Sequence, residues 1–220
     1  MKISGWTILA LISVTLMLTD SAVAQKKAIT RSEYSKAVYS QLSWGLGKRI
    51  HRIETLEESF ENGVVVKSQT TIYEGLPPDR SRYYTKTSAN GKVTEFERIT
   101  IDYMLYTRKD GGAWTKIDLR QQGGTGSGSG SGASGSIACS QYSVENTFLE
   151  GIATKLFESV QVTEEASELK FEEERNWLDE EGLTRRIEQV RGKLYPRVEQ
   201  NRRIVTYDYN PDLKIEAPIN

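Results

Sequence analysis

Few side chains in this sequence could carry catalysis or hold a metal. The 220 residues include one histidine, His51, and one cysteine, Cys139. Metal sites built from several His and Cys ligands are therefore excluded, as is an intramolecular disulfide. His51 lies in a basic run with no nucleophile or orienting group beside it, so we interpret it as a surface or sheet residue. Cys139 has no neighbouring cation or helix start to activate its thiol, so we expect no catalytic role for it.

Two acidic runs, Glu172–Glu174 and Asp179–Glu181, are the other candidates for chemistry. They lack the alternating Asp, Asn and Gly pattern of a calcium loop. Glycoside hydrolysis needs two carboxylates held roughly 5–10 Å apart in a cleft, which a run of acids does not specify. The runs are interspersed with basic residues, so we predict cross-strand ion pairs with Arg175, Arg185 and Arg186.

The chain also lacks the short motifs of nucleotide-binding proteins, serine hydrolases and zinc proteases. Charge is balanced, with 29 basic and 30 acidic residues, which argues against a nucleic-acid-binding protein. We therefore predict no catalytic residues, no metal, no cofactor and no nucleic-acid partner.

Residues 1–24 have the organisation of a secretory signal peptide. Lys2 provides the positive charge, Trp6–Leu18 is uncharged and apolar, and Ala22-Val23-Ala24 is a small-residue cleavage site. As a helix, the apolar segment would span about 20 Å, less than the ~30 Å hydrocarbon core of a bilayer. We predict export, with the periplasm favoured over secretion, and a mature chain that does not span the membrane.

The mature chain begins with a predicted helix and continues as predicted strands. Thr30 and Glu33 form a capping box that starts a helix over Thr30–Leu42, and Gly45 or Gly47 is expected to end it. Beyond it, segments rich in Val, Ile, Thr and Tyr are separated by four turn dipeptides: Asn62-Gly63, Asn90-Gly91, Asp110-Gly111 and Glu181-Gly182.

The segment Arg49–Phe60 has apolar spacing that also fits a helix. We predict a strand there because the Val-rich run after Asn62-Gly63 needs a pairing partner. The Gly/Ser-rich segment 122–136 has almost no side-chain surface to bury and is predicted to be a flexible loop. We expect one β-rich domain over 25–220, a half-buried antiparallel sheet.

Large aromatic residues on the predicted strands are the most informative feature for function. On the concave face of a curved sheet they would form an apolar pocket with a few polar groups. Ordinary core packing is the alternative for each of them. The predicted pocket residues are Tyr83, Tyr84, Tyr103, Tyr106, Trp114, Trp177 and Tyr207.

The order of these elements resembles exported proteins of the LolA/LolB-like superfamily, which includes the LppX/LprG-type lipid-binding proteins. The resemblance rests on Tyr73-Glu74-Gly75-Leu76-Pro77-Pro78-Asp79-Arg80 and on the tail from Tyr207 to Ile219. It implies a mainly β fold with few helices (α+β), in which one antiparallel sheet curves into an open half-barrel around a helix. It also implies binding and carrying of acyl chains without catalysis.

The expected function is that of an exported carrier of a hydrophobic ligand, such as a lipid or a lipoprotein acyl chain, with an envelope protein as a further partner. A non-catalytic structural or interaction module with a filled core is the alternative. A hydrolase that uses acidic residues in a sheet cleft is less favoured. A closed lipocalin-type barrel is the alternative fold.

Overall fold

The computed structural model describes residues 25–48, 51–76, 78–121, 136–165, 168–209 and 212–218. The predicted leader and all of the Gly/Ser-rich segment except Ser136 lie outside these ranges. Within them the chain forms one α-helix, a short 3-10 helix at Leu119–Gln121 and 12 strands. The bounds are β1 Lys27–Ala28, α1 Arg31–Lys48, β2 Arg52–Glu61, β3 Val64–Leu76, β4 Arg80–Ala89, β5 Lys92–Ile101, β6 Met104–Lys109, β7 Thr115–Asp118, β8 Ser136–Leu149, β9 Ile152–Glu165, β10 Glu168–Asp179, β11 Thr184–Lys193 and β12 Val198–Asp208.

All 12 strands belong to one antiparallel sheet in the order β1-β8-β9-β10-β11-β12-β2-β3-β4-β5-β6-β7. The two ends of this order, β1 and β7, do not pair with each other, so the sheet is open. The pairing of β12 with β2 joins the strands that follow the Gly/Ser-rich segment to those that precede it. The predicted fold class, mainly β with an open antiparallel sheet and a helix, is confirmed.

Tight turns between the strands follow the predicted chemistry. Asn62-Gly63, Asn90-Gly91 and Asp110-Gly111 have positive φ at both residues, as type I′ turns require. Glu150-Gly151 has the same conformation between β8 and β9, although Glu-Gly is a weaker sequence signal. In the turn containing Glu181-Gly182 only the glycine has positive φ. The segment predicted as a strand after the helix is β2, so that prediction is confirmed.

Helix α1 begins as predicted but does not end there. The Thr30 hydroxyl accepts a hydrogen bond from the Glu33 N–H at 3.2 Å, and the Glu33 carboxylate accepts one from the Thr30 N–H at 2.7 Å. The helix then runs through Gly45 and Gly47 to Lys48, so the predicted break at these glycines is wrong. Glycine costs only about 1 kcal/mol in a helix interior, and nothing obliges it to take positive φ.

The sheet has two faces that are covered by different segments. The face that contacts α1, here called the helix face, carries Ser159, Glu174 and Gln189 in one row. Directly paired residues share a face, so this row continues through Arg203, Glu57, Gln69, Thr87 and Thr94. The opposite face, here called the tail face, carries Ile99, and the C-terminal segment packs near it, with buried Ile215. The helix therefore covers the β8–β11 part of one face, and the tail covers the β4–β6 part of the other.

Within the described residues, no helix is both long enough and apolar enough to cross a membrane.

Candidate ligand-binding groove

An apolar groove of about 780 Å³ opens beside α1 on the helix face. Its apolar lining comes from the helix and from the ends of three adjacent strands: Ala37, Phe148, Ala153, Phe157 and Leu178. Phe148 is 74% exposed although it lies on a strand. The volume falls in the range of small-molecule sites, roughly 300–1,000 Å³.

Tyr34 fixes the helix above the groove. Its hydroxyl donates to Glu174 Oε1 at 2.8 Å and accepts from Asn176 Nδ2 at 2.8 Å. Glu174 also accepts from Asn176 Nδ2 at 2.9 Å and, through Oε2, from Gln189 Nε2 at 2.6 Å. Tyr34 and Asn176 are fully buried, so this network holds α1 at a defined position on the sheet.

Aromatic packing completes this anchor. The Tyr34 ring lies 5.2 Å from the Tyr142 ring and 6.5 Å, edge-on, from the Phe157 ring, which lines the groove. Val38, one turn further along the helix, is also fully buried. Burial, together with the nearby Glu174 carboxylate, raises the pKa of the Tyr34 phenol well above its usual value. The hydroxyl therefore stays protonated and keeps donating its hydrogen bond.

Polar groups lie at one end of the groove. Asp179 accepts from the backbone N–H groups of Glu181 at 3.0 Å and Leu183 at 2.8 Å, and it pairs with Arg185 at 2.7 Å. Asp179 therefore holds the β10–β11 turn in shape. Lys155 and Glu180 are exposed at the same end. The site thus combines an apolar wall with a polar end, which suits a ligand that has one apolar part and one polar part.

A second cavity, of about 570 Å³, lies on the tail face between the C-terminal segment and β4–β6. Arg82 and Arg108 line it and both bind Glu97, at 2.7 and 2.6 Å. The Arg108 guanidinium lies 4.7 Å from the centre of the Trp114 ring. The buried Glu97 carboxylate already binds both arginines. We therefore interpret the residues that line this cavity as a structural ion-pair cluster beneath the tail.

The seven predicted pocket residues lie on both faces of the sheet. Tyr83 and Tyr207 lie on the helix face, whereas Tyr84, Tyr106 and Trp177 lie on the tail face. Tyr103 is exposed in the β5–β6 turn, and Trp114 lines the tail-face cavity. None of the seven is among the described residues that line the groove. Their contact with a ligand remains a prediction.

Sequence reasoning missed the groove residues because most of them are small or ordinary. Ala37 and Ala153 give no aromatic signal, and Phe157 and Leu178 resemble core residues. The one usable signal was Phe148-Leu149 directly before the Glu150-Gly151 turn, where an apolar pair precedes a tight turn.

The residues considered for chemistry take structural positions. The backbone N–H of His51 donates to the Asp208 carbonyl at 3.1 Å, and Cys139 is an exposed free thiol on β8. Of the ion pairs predicted for the acidic runs, Arg185 with Asp179 is confirmed. The other two predictions are wrong: Arg175 binds Glu158 and Glu188, and Arg186 binds Glu188, all outside the runs. Glu172 and Glu173 bind Arg191 and Arg197 instead. Within the described ranges, no group of three or more His, Cys, Asp or Glu side chains could hold a metal ion.

Comparisons with known proteins leave the family open. No protein-family model matches the chain. A search of curated proteins found no match. Among solved structures, the chain is similar to LprF from Mycobacterium bovis, with 11% sequence identity and a TM-score of 0.45. That match covers 88% of this chain and 100% of LprF. The site is therefore assigned from its own geometry.

Proposed function

We propose that the protein binds and carries a hydrophobic ligand, a lipid or an acyl chain, in the cell envelope. The groove between α1 and β8–β10 carries this proposal, because it offers an apolar volume of about 780 Å³ with a polar end. An acyl chain would lie against Ala153, Phe157 and Leu178, and its polar head would lie near Lys155 and Glu180. Removing the chain from water provides the binding energy, at roughly 0.8 kcal/mol per buried CH₂.

The leader supports the cellular setting of this proposal. The signal-peptide pattern at residues 1–24 directs the chain for export, and the periplasm is the proposed compartment. A carrier there would move an acyl chain between membranes, shielding it from water.

Displacement of a fluorescent fatty acid by palmitate tests the proposal. The wild type should bind the probe, and Ala153→Trp, which places an indole inside the groove, should lower the affinity at least about tenfold. Ala113→Trp adds the same side chain to the exposed β6–β7 turn and should bind like the wild type.

Phe148→Ser is a second variant. Because Phe148 is exposed, this substitution should leave folding intact. It should also weaken binding. No binding by the wild type, or equal binding by Ala153→Trp and Ala113→Trp, would show that the groove does not hold the ligand.

A further inference from the structure

Three hairpin turns lie side by side at one end of the sheet, and each displays a large apolar side chain. They connect β11 to β12, β2 to β3 and β4 to β5, which are consecutive pairs in the strand order. Tyr195 is 78% exposed in the first, while Val64 and Val93, beside the second and third, are 65% and 51% exposed. Neighbouring tips are two strands apart, or roughly 10 Å. We call this set of three turns with their flanking residues the tip surface.

Two lysines flank the valines of the tip surface. Lys67 pairs with Ala89, and Ala89 pairs with Lys92, so the lysines lie on either side of an alanine in one cross-strand row. The lysines lie on β3 and β5, which are about 10 Å apart. Because the side chain between them is small, a headgroup-sized anion has space to bind both lysines. Within the described part of the chain, neither lysine forms an ion pair.

The helix face below these lysines contains no acid on β3, β4, β5, β6 or β7. The rows beneath the lysines hold threonines, aromatic residues and two further cations, Arg98 and Lys109. The acids of these strands, including Glu74, Glu95 and Glu97, all lie on the tail face. No carboxylate on the helix face of these strands therefore neutralises the charge of the lysines or of the two further cations.

The three turns of the tip surface differ in charge from the turns at the opposite end of the sheet. At the end that carries the groove, each of the four described hairpin turns includes a carboxylate: Asp79, Asp102, Glu150, and Glu180 with Glu181. The three turns of the tip surface include none. Acids nearby include Glu61, beside Asn62, and Glu173, which binds Arg197 of the β11–β12 turn at 2.8 Å. The β9–β10 hairpin at the same end carries Glu165 and Glu168, which bind Lys170 and Lys193. The β6–β7 turn, which contains Asp110, ends about three residues, or roughly 10 Å, short of the tips.

From these features we infer that the tip surface docks on a lipid membrane that contains anionic headgroups. Exposed Val and Tyr side chains enter the interfacial region, and Lys67 and Lys92 bind the headgroups. Carboxylates in the turns at the opposite end are repelled by the same surface, which favours contact through the tip surface. The inference goes beyond ligand binding in the groove, since it concerns how the protein meets a membrane.

Cosedimentation with vesicles tests the inference. The wild type should bind vesicles of phosphatidylcholine mixed with phosphatidylglycerol and should bind phosphatidylcholine alone much more weakly; added salt should weaken the binding. Lys67→Gln/Lys92→Gln should lose about 25-fold in partitioning, at roughly fivefold for each lysine. Val64→Asp/Val93→Asp should lose at least about tenfold.

Two controls match these variants. Lys86→Gln/Lys116→Gln removes the same charge from the tail face of neighbouring strands. Ile152→Asp introduces an acid beside an exposed turn at the opposite end of the sheet. Both should partition like the wild type.

Equal partitioning of the wild type on the two kinds of vesicle, absence of binding to both, or equal losses in the lysine variant and its control would overturn the inference. Fatty-acid displacement measured on the same variants separates this inference from the proposed function. Normal displacement by a variant that fails to bind vesicles shows that the groove works without the tips. If the wild type displaces the fatty acid but does not bind vesicles, the proposed function stands and the docking inference falls.

Discussion

Replacement of Tyr34 by phenylalanine tests how α1 is held on the sheet. The change removes one hydroxyl and leaves the ring in place between Tyr142 and Phe157. The hydroxyl donates to the Glu174 carboxylate and accepts from Asn176, both at 2.8 Å. A hydrogen bond to a charged group is worth about 1.5–3 kcal/mol and a neutral one about 1 kcal/mol. Glu174 and Asn176 keep their other bonds, so we expect a net loss of about 2 kcal/mol.

Urea unfolding followed by tryptophan fluorescence measures this loss. Tyr39→Phe is the matched control, because Tyr39 lies on the same helix and is 54% exposed. It should change the free energy of unfolding by less than about 0.5 kcal/mol. If Tyr34→Phe is as stable as Tyr39→Phe, the hydrogen-bond network does not hold the helix.

The pH dependence gives a second reading of the same variant. The pKa of Tyr34 is raised by burial in the folded state, whereas the unfolded phenol ionises near pH 10. Above that pH the unfolded chain holds fewer protons than the folded one, so stability falls as pH rises. The advantage of the wild type over Tyr34→Phe should be constant below about pH 9 and should shrink above about pH 10. The pKa of Tyr209, raised to about 12, affects both proteins equally. A difference that stays constant through this range would contradict the burial of the phenol.

Three further changes have expected outcomes. Gly192→Ala should lower stability by about 3 kcal/mol, measured by thermal unfolding, because its Cβ would lie 1.9 Å from the Val198 carbonyl oxygen where the β11–β12 pairing has a bulge; an unchanged melting temperature would contradict this close approach of the two strands. Glu97→Gln should cost about 2 kcal/mol in urea unfolding, less than a fully buried pair because Arg82 and Arg108 are partly exposed; a neutral effect would show that the cluster under the tail is dispensable. The pKa of Asp79 is raised, chiefly by its hydrogen bond with Asp102, so the folded state favours the protonated carboxyl. Asp79→Asn should therefore be at least as stable as the wild type at pH 7, with the difference vanishing as the carboxyl protonates below about pH 5; lower stability of the variant at pH 7 would contradict the like-charge contact.

Local sequence signals predicted the elements that depend on local chemistry. Asn-Gly and Asp-Gly turns and the Thr30 capping box are confirmed because their residues act on their own backbone. The end of α1 was not predictable, since glycine allows a helix to end without requiring it. The Tyr34–Glu174 contact joins residues 140 positions apart, and no local signal indicates it.

The residues of the candidate site likewise depend on contacts between distant elements, which local sequence does not indicate. Alternation identified which residues share a face of one strand, but only strand order shows that α1 covers β8–β11 and the tail covers β4–β6. Alternation along β4 places Tyr83 and Tyr84 on opposite faces, and strand order shows that these faces have different surroundings. A groove formed by Ala37 and Ala153 exists only because elements distant in sequence meet there.

Photo-crosslinking with a diazirine-bearing fatty acid, followed by peptide mapping, tests the central claim most directly. Binding in the groove predicts labelling of the peptides that contain Ala37, Phe148, Phe157 and Leu178, and palmitate should compete for that labelling. Labelling confined to the tail-face peptide with Trp114, or labelling that palmitate does not reduce, would contradict a ligand site between α1 and β8–β10.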